Sequence, residues 1–224
     1  MKSKRVRRLV VIPATTLLLV AGGSAAASAD PPPGPVDESR LVPSLSASFA
    51  PWTCKAVQTG PVCDGERRID TGWGPFDFSC GDAPVYSRHE EVRRATRYYG
   101  WDYLNYDRRV RTNDIDYLST SPGGPATATI ATTVRFVEPF AVPGDDSTFT
   151  VITDGVIWDI RSAQGAALFR AVGTLVEPPG EVGTFTGHVT DHGITTRYTD
   201  APLPEVLSDE DFVDFVCEAV TGGH

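Results

Sequence analysis

The sequence contains no apolar run long enough to cross a bilayer as a helix, for which about 20 residues are needed. Its longest apolar run covers 9–22 and follows the basic segment 1–8. Ala27-Ser28-Ala29 then precedes Asp30, which is the small-residue pattern that a signal peptidase accepts. Residues 1–29 are therefore predicted to be a signal peptide, with Sec export favoured over the twin-arginine route. The protein is predicted to be secreted, either extracellular or associated with the cell envelope, with no membrane span.

Basic residues, and lysine above all, are scarce after this segment. Residues 30–224 hold 15 Lys and Arg against 29 Asp and Glu, a formal charge of −14, and Lys55 is the single lysine. Nucleic acids and anionic membranes bind basic surfaces, so neither is predicted as the main partner. The predicted partner is an unknown small molecule or an extracellular partner.

Sequence motifs of catalysis are also missing: there is no Gly-x-Ser-x-Gly, no phosphate-binding glycine loop and no His-Glu-x-x-His. His188 and His192 have the i, i+4 spacing that brings two ligands together on a helix, but on a strand they lie about 13 Å apart. Asp114 and Asp116 share one strand face, where neighbouring acids usually pair with arginines. No catalytic residue, metal ligand or cofactor is predicted.

Cysteine is limited to four residues, Cys54, Cys63, Cys80 and Cys217. In an exported chain an even number indicates disulfides, and four cysteines allow three pairings. The favoured pairing is Cys54–Cys63, which brackets a turn, and Cys80–Cys217, which ties the start of the sheet to the last helix. The alternative, a metal site, needs closer cysteines or clustered histidines than this spacing provides.

Short strands with turn residues between them dominate the pattern after Trp52. The clearest strand is 127–137, where apolar and polar residues alternate with a period of two. Further strands are predicted at 148–153, 156–160, 168–176, 183–189 and 194–198, separated by Gly, Pro and Asp-rich turns. The predicted fold is mainly β, an antiparallel barrel, alternatively a sandwich, of about eight short strands.

One helix is predicted, at the C-terminus. Ser208 can cap it, acidic residues follow in its first turn, and Phe212, Phe215, Val216 and Val220 recur at helical spacing. The predicted organisation is a signal peptide (1–29), a Pro-rich flexible tail (30–48) and a single disulfide-linked β domain (49–224).

The domain resembles a group of exported β-rich proteins of high-GC Gram-positive (actinobacterial) type, for which no activity is established. The matching segments are Cys54, Val62-Cys63, Cys80-Gly81 with Pro84-Val85-Tyr86, Thr96-Arg97-Tyr98-Tyr99, Arg108-Arg109-Val110 and Cys217-Glu218-Ala219. The resemblance covers most of the chain after the signal. It implies the same disulfides and a β fold, and it implies no catalytic residue.

The segment 88–111 concentrates seven arginines and several aromatic residues, and is predicted to be a hairpin that turns near Gly100. One interpretation is a cationic and aromatic face that binds an anionic or carbohydrate ligand, for which Arg97, Tyr99 and Arg109 are the candidate residues. The other is a solvated hairpin whose arginines pair with nearby acids. The acids of the segment together with the following Asp114 and Asp116 nearly match these arginines in number, which favours this second interpretation.

Three functions remain open from the sequence. The first is a non-enzymatic binding or interaction module that acts through the barrel mouth or the arginine-rich hairpin. The second is an enzyme of isomerase or cyclase type with a site inside the barrel. The third is a structural component of the cell envelope.

Overall fold

A single antiparallel sheet and a C-terminal helix make up the fold in a computed structural model, which describes residues 34–207 and 209–222. The strands are β1 (Thr53–Val57), β2 (Gly60–Asp70), β3 (Gly74–Cys80), β4 (Ala83–Tyr99), β5 (Asn105–Ser119), β6 (Ala128–Pro139), β7 (Val151–Ser162), β8 (Ala167–Glu177), β9 (Thr184–Asp191) and β10 (Ile194–Pro202), and the helix is α1 (Asp209–Thr221). The predicted signal peptide and the predicted cap Ser208 lie outside the described residues.

The strands follow the order β1-β2-β4-β5-β6-β7-β8-β9-β10, each antiparallel to its neighbours. β3 pairs with the first part of β4, while β2 pairs with the second part of the same strand. The mainly β prediction is confirmed, but the predicted barrel of about eight short strands is wrong in closure and in number. β1 and β10 are the edges of one open ten-stranded sheet, and β4 and β5 are 17 and 15 residues long. The single sheet also differs from the alternative sandwich.

One face of the sheet, called here the inner face, carries Leu118, Ile130, Ile160 and Phe169, which are at most 5 % exposed. α1 packs on this face with Val216, Ala219 and Val220 buried among them, and the ring of Phe215 stacks on that of Phe169 at 4.4 Å. The helix touches β3 as well as β6, β7 and β8, so the sheet wraps around it. The amphipathic stripe that the sequence predicts for this helix therefore faces the sheet.

Three glycines, Gly155, Gly173 and Gly187, are register neighbours on β7, β8 and β9. A Cβ added to Gly187 would lie 2.3 Å from the carbonyl oxygen of Val172 and 2.8 Å from the ring of Phe185. Only glycine allows strands to approach this closely, and the ring of Phe185 fills the space that the missing side chains leave.

Part of the predicted flexible tail packs against the other end of the inner face instead. Leu41 is 3 % exposed and contacts Tyr99 and Cys63, and Trp52 and Phe49 cover Gly65 of β2. Burial of these apolar side chains is favourable, and it opposes the conformational entropy that is lost when the segment becomes ordered. α1 thus covers one end of the inner face, and residues 41–52 cover the other.

Both disulfides favoured from the sequence are present. Cys54–Cys63 joins register partners on β1 and β2, and Cys80–Cys217 joins the end of β3 to α1. Two disulfides are consistent with an extracellular location. No helix among residues 34–207 and 209–222 is long and apolar enough to cross a membrane.

Candidate anion-binding groove

Three arginines lie side by side across the outer face of the sheet, which is the face opposite α1. Arg94 of β4 is the register partner of Arg111 on β5, and Arg111 is the partner of Arg135 on β6. The same row continues to Glu66 on β2 at one end and to Asp154 on β7 at the other. We call Arg94, Arg111 and Arg135 the arginine row.

The two outer members of the arginine row are neutralised, and the central one is not. Arg94 Nε donates to Glu66 Oε2 at 2.7 Å, and Arg135 Nη2 donates to Asp154 Oδ2 at 3.4 Å. Glu66 also accepts a hydrogen bond from Arg68, and the hydrogen bonds from Arg94 and then from Arg68 lower the pKa of Glu66. Arg111 is exposed and forms no ion pair with any residue in the described part of the chain. Like charges placed directly opposite one another destabilise a sheet, so this row is costly for folding alone.

A fourth arginine, Arg109, joins the row from one side. It precedes Arg111 by two residues on β5 and so lies on the same face. Its Nε donates to Asp107 Oδ2 at 2.9 Å, which raises the pKa of Arg109, and its guanidinium carbon lies 4.9 Å from the ring centre of Tyr98. The guanidinium group is thereby held over the strand surface while its side chain remains about half exposed.

These four arginines line an open groove of about 830 Å³, which we call the anion groove. Its volume lies in the range of about 300–1,000 Å³ that holds ligands of drug size. The remaining lining residues are Pro51, Thr53, Asp64, Gly65, Glu66, Ala95, Thr96, Tyr98 and Val137. Four arginines against two carboxylates make the lining basic, although the whole chain carries a formal charge of −9.

The three ligand-binding residues predicted from the sequence do not come together. Thr96, not Arg97, is the register partner of Arg109, so Arg97 and Arg109 point to opposite faces of the sheet. Arg109 lines the anion groove, whereas Arg97 and Tyr99 belong to the inner end of the sheet covered by Trp52 and Leu41. A ligand role for Arg97 and Tyr99 stays a prediction that is separate from this groove.

Arg97 and Tyr99 are both largely enclosed. Tyr99 is fully buried, its hydroxyl donates to the carbonyl oxygen of Pro43 at 3.2 Å, and burial raises its pKa to about 12. The guanidinium of Arg97 lies 5.9 Å from the ring of Trp52, and burial followed by the neighbouring Arg108 lowers its pKa. Tyr99 thus anchors the segment that covers this end of the sheet.

The inner face also carries ionisable side chains between its two covered ends. Glu91 is 4 % exposed and is held by Arg67 at 2.7 Å and Arg93 at 2.8 Å, while Asp116 Oδ1 lies 2.9 Å from Nδ1 of His89. Burial raises the pKa of Asp116, as it does that of Asp114 beside Arg93. Asp116 is thus paired with His89 and Asp114 with Arg93. Ion pairs of this kind on a sheet face are typical of a structural role.

Arg94, Arg111 and Arg135 were not selected from the sequence. The period of two places Arg109 and Arg111 on one face, but it does not say which residues of β4 and β6 lie beside them. That depends on the register of two hairpins, which their turns determine. Among residues 34–207 and 209–222, no group of three His, Cys, Asp or Glu side chains is placed to hold a metal ion.

No family model, curated protein or solved structure matches this chain. The resemblance to the actinobacterial exported group therefore stays a prediction.

Proposed function

We propose that this protein is an exported, non-enzymatic binding module that holds an anionic ligand in the anion groove. The observation that carries the proposal is Arg111, an exposed arginine without an acidic partner in the described chain, set between two further arginines. A protein that needed only to fold would gain by having a neutral or acidic residue at this position. An anion that binds to Arg111 supplies the negative charge that the described part of the chain does not place there.

The groove offers such an anion more than one contact. The guanidinium group of Arg111 presents its planar set of N–H donors, which can grip a carboxylate or a phosphate with two parallel hydrogen bonds. Arg94, Arg109 and Arg135 have acidic partners of their own in the free protein and contribute to the local potential from three sides. Thr53 and Tyr98 add hydroxyl groups to the lining.

A binding role is favoured over an enzymatic one because the buried carboxylates and the histidine of the inner face are already paired. Asp116 is bound to His89, and Glu91 is bound to two arginines. In the anion groove, in contrast, the central cation is available to a ligand. The predicted signal peptide and the two disulfides support an extracellular place of action.

The test compares two variants that each remove one positive charge. Arg111→Gln removes the central cation, and Arg197→Gln removes an exposed arginine of β10 that has no ion pair in the described chain and does not line the groove. Isothermal titration calorimetry with inorganic phosphate, sulfate and acetate measures binding. A charge-assisted hydrogen bond contributes roughly 1.5–3 kcal/mol, so Arg111→Gln should weaken anion binding by about 10- to 100-fold.

The control Arg197→Gln should bind as the unchanged protein does. Equal loss in both variants would mean that only net charge matters and would contradict a specific site. Binding that survives Arg111→Gln unchanged would place the anion elsewhere, and the proposal would be wrong. Urea unfolding of both variants shows whether either substitution disturbs the fold.

A further inference from the structure

The cations of the anion groove are arranged in a line and do not converge on one point. Arg94 turns toward Glu66 at one end of the arginine row, and Arg135 turns toward Asp154 at the other. Neighbouring strands are about 4.8 Å apart, so the row extends about 10 Å across β4, β5 and β6. A single small anion on Arg111 cannot also touch both neighbours. A ligand that uses the whole row must carry several charges in sequence.

The row also has defined ends. Glu66 and Asp154 occupy its next positions on β2 and β7, so the line of arginines does not continue onto those strands. The row therefore provides three cationic positions and no more. Arg109 lies beside the central position, so it reinforces the middle charge and does not extend the row.

From this arrangement, and resting on the proposed anion binding, we propose that the ligand is a linear acidic polysaccharide. Three successive uronate rings lie across β4, β5 and β6, with one carboxylate on each of Arg94, Arg111 and Arg135. A 1,4-linked uronate chain carries one carboxylate per ring, so three rings supply the three carboxylates that the row can bind. The hydroxyl groups of Thr53 and Tyr98 in the groove lining are suited to sugar hydroxyls.

The charge of the protein argues for a polymer of this moderate charge density. The whole chain carries −9 and the groove lining is basic by only two charges, so a densely charged phosphate polymer is repelled by most of the surface. Strong binding of nucleic acid, in particular, requires many basic contacts along the backbone. Within the groove, Arg94 and Arg135 already bind carboxylates in the free protein. Uronates of the ligand compete with groups of the same chemistry.

The experiment titrates the full protein with galacturonate and with its 1,4-linked dimer, trimer and hexamer, in low and in physiological salt. We expect affinity to increase at each step from one ring to three and to change little from three to six, because the row has three positions. Tripolyphosphate and single-stranded DNA serve as the competing phosphate polymers. Exposed ion pairs are screened by salt, so binding of the trimer should weaken more with added salt than binding of the monomer.

Arg135→Gln separates the polymer from the single anion. Asp154 keeps its hydrogen bond from Thr174 in this variant, so no carboxylate is left without a partner. The loss of one charge-assisted contact should lower trimer affinity about tenfold, and it should lower monomer affinity much less, because a single anion on Arg111 loses only the more distant charge of Arg135. Arg197→Gln is again the matched control.

The outcomes separate this inference from the proposed function. Equal affinity for monomer and trimer, or tighter binding of tripolyphosphate or DNA than of the trimer, overturns the polysaccharide ligand and leaves anion binding intact. Binding of none of these anions overturns the proposed function itself. Growth of affinity that stops at three rings and depends on Arg135 supports both.

Discussion

Removing the two disulfides one at a time should destabilise the protein to different extents. Cys80–Cys217 joins residues 137 apart in the sequence, whereas Cys54–Cys63 joins residues only 9 apart. If a disulfide acts by restricting the unfolded chain, the long loop contributes about 5 kcal/mol and the short loop about 3 kcal/mol at 25 °C. We therefore expect the Cys80→Ala/Cys217→Ala double variant to lose about 2 kcal/mol more than Cys54→Ala/Cys63→Ala.

Packing should modify these values without reversing their order. Cys63 is fully buried, so its replacement by alanine removes some packing beside Tyr99 and adds to the cost of losing the short bridge. Loss of the long bridge also releases α1 from β3, and the helix then relies on its apolar contacts alone. The ring of Phe212 lies 4.8 Å from that of Trp158, which makes tryptophan fluorescence a reporter of helix docking.

Urea unfolding followed by fluorescence and by circular dichroism measures the free energy and the m-value of each double variant. Removing either bridge should also increase the m-value, because the unfolded chain becomes more expanded. Equal losses, or a larger loss from the short bridge, would refute the assignment of the stabilisation to loop closure. Separate fluorescence and circular dichroism transitions in the long-bridge variant would mean that the helix undocks before the sheet unfolds.

Three further predictions follow from packing and charge. Hydrogen bonds to Glu218 and then to Asp191 raise the pKa of His192, so the stability that its charged form adds is complete below about pH 6.5 and is lost as the pH rises through the raised value. The side chain is 46 % exposed, so the effect should stay under about 1 kcal/mol, and His192→Gln should abolish it in thermal unfolding curves recorded across this pH range. Gly187→Ala should cost about 1–3 kcal/mol because of its close contacts, whereas Gly74→Ala, which meets nothing within 4 Å, should be nearly neutral by urea unfolding. Phe215→Ala removes a partly buried ring that stacks on the sheet and should cost about 2–3 kcal/mol, and a loss under about 1 kcal/mol would contradict the docking of the helix.

The local elements of this protein were predictable because their signals lie within a few residues. Alternation predicted a strand at 127–137, and β6 covers Ala128–Pro139. The apolar stripe predicted the helix that becomes Asp209–Thr221, and the predicted turn near Gly100 separates β4 from β5. β3 was not predicted as a separate strand, which is one reason why the predicted number was too low.

The open shape of the sheet was not predictable from these local signals. A barrel and an open sheet share the same alternation, and the choice depends on what else covers the inner face. Here one end is covered by Leu41, from the segment 30–48 that was predicted to be a flexible tail, and by Trp52, near the start of the predicted domain, and α1 covers the other end. Contacts between residues far apart in the sequence therefore decided the shape of the sheet, and the composition of the N-terminal segment did not indicate them.

By itself the sequence determined the alternation of the strands, the position of the helix, the favoured cysteine pairing and the concentration of arginines in 88–111. Only the tertiary structure decided which arginines meet. The β4–β5 hairpin pairs Arg109 with Thr96, so Arg97 lies on the inner face, and the β5–β6 register brings Arg135 beside Arg111. The physical reason is the period of two in a strand: a shift of one residue in register transfers every side chain to the opposite face. Composition thus predicted a cationic hairpin, and strand register placed two of its arginines in a row with Arg135 of β6.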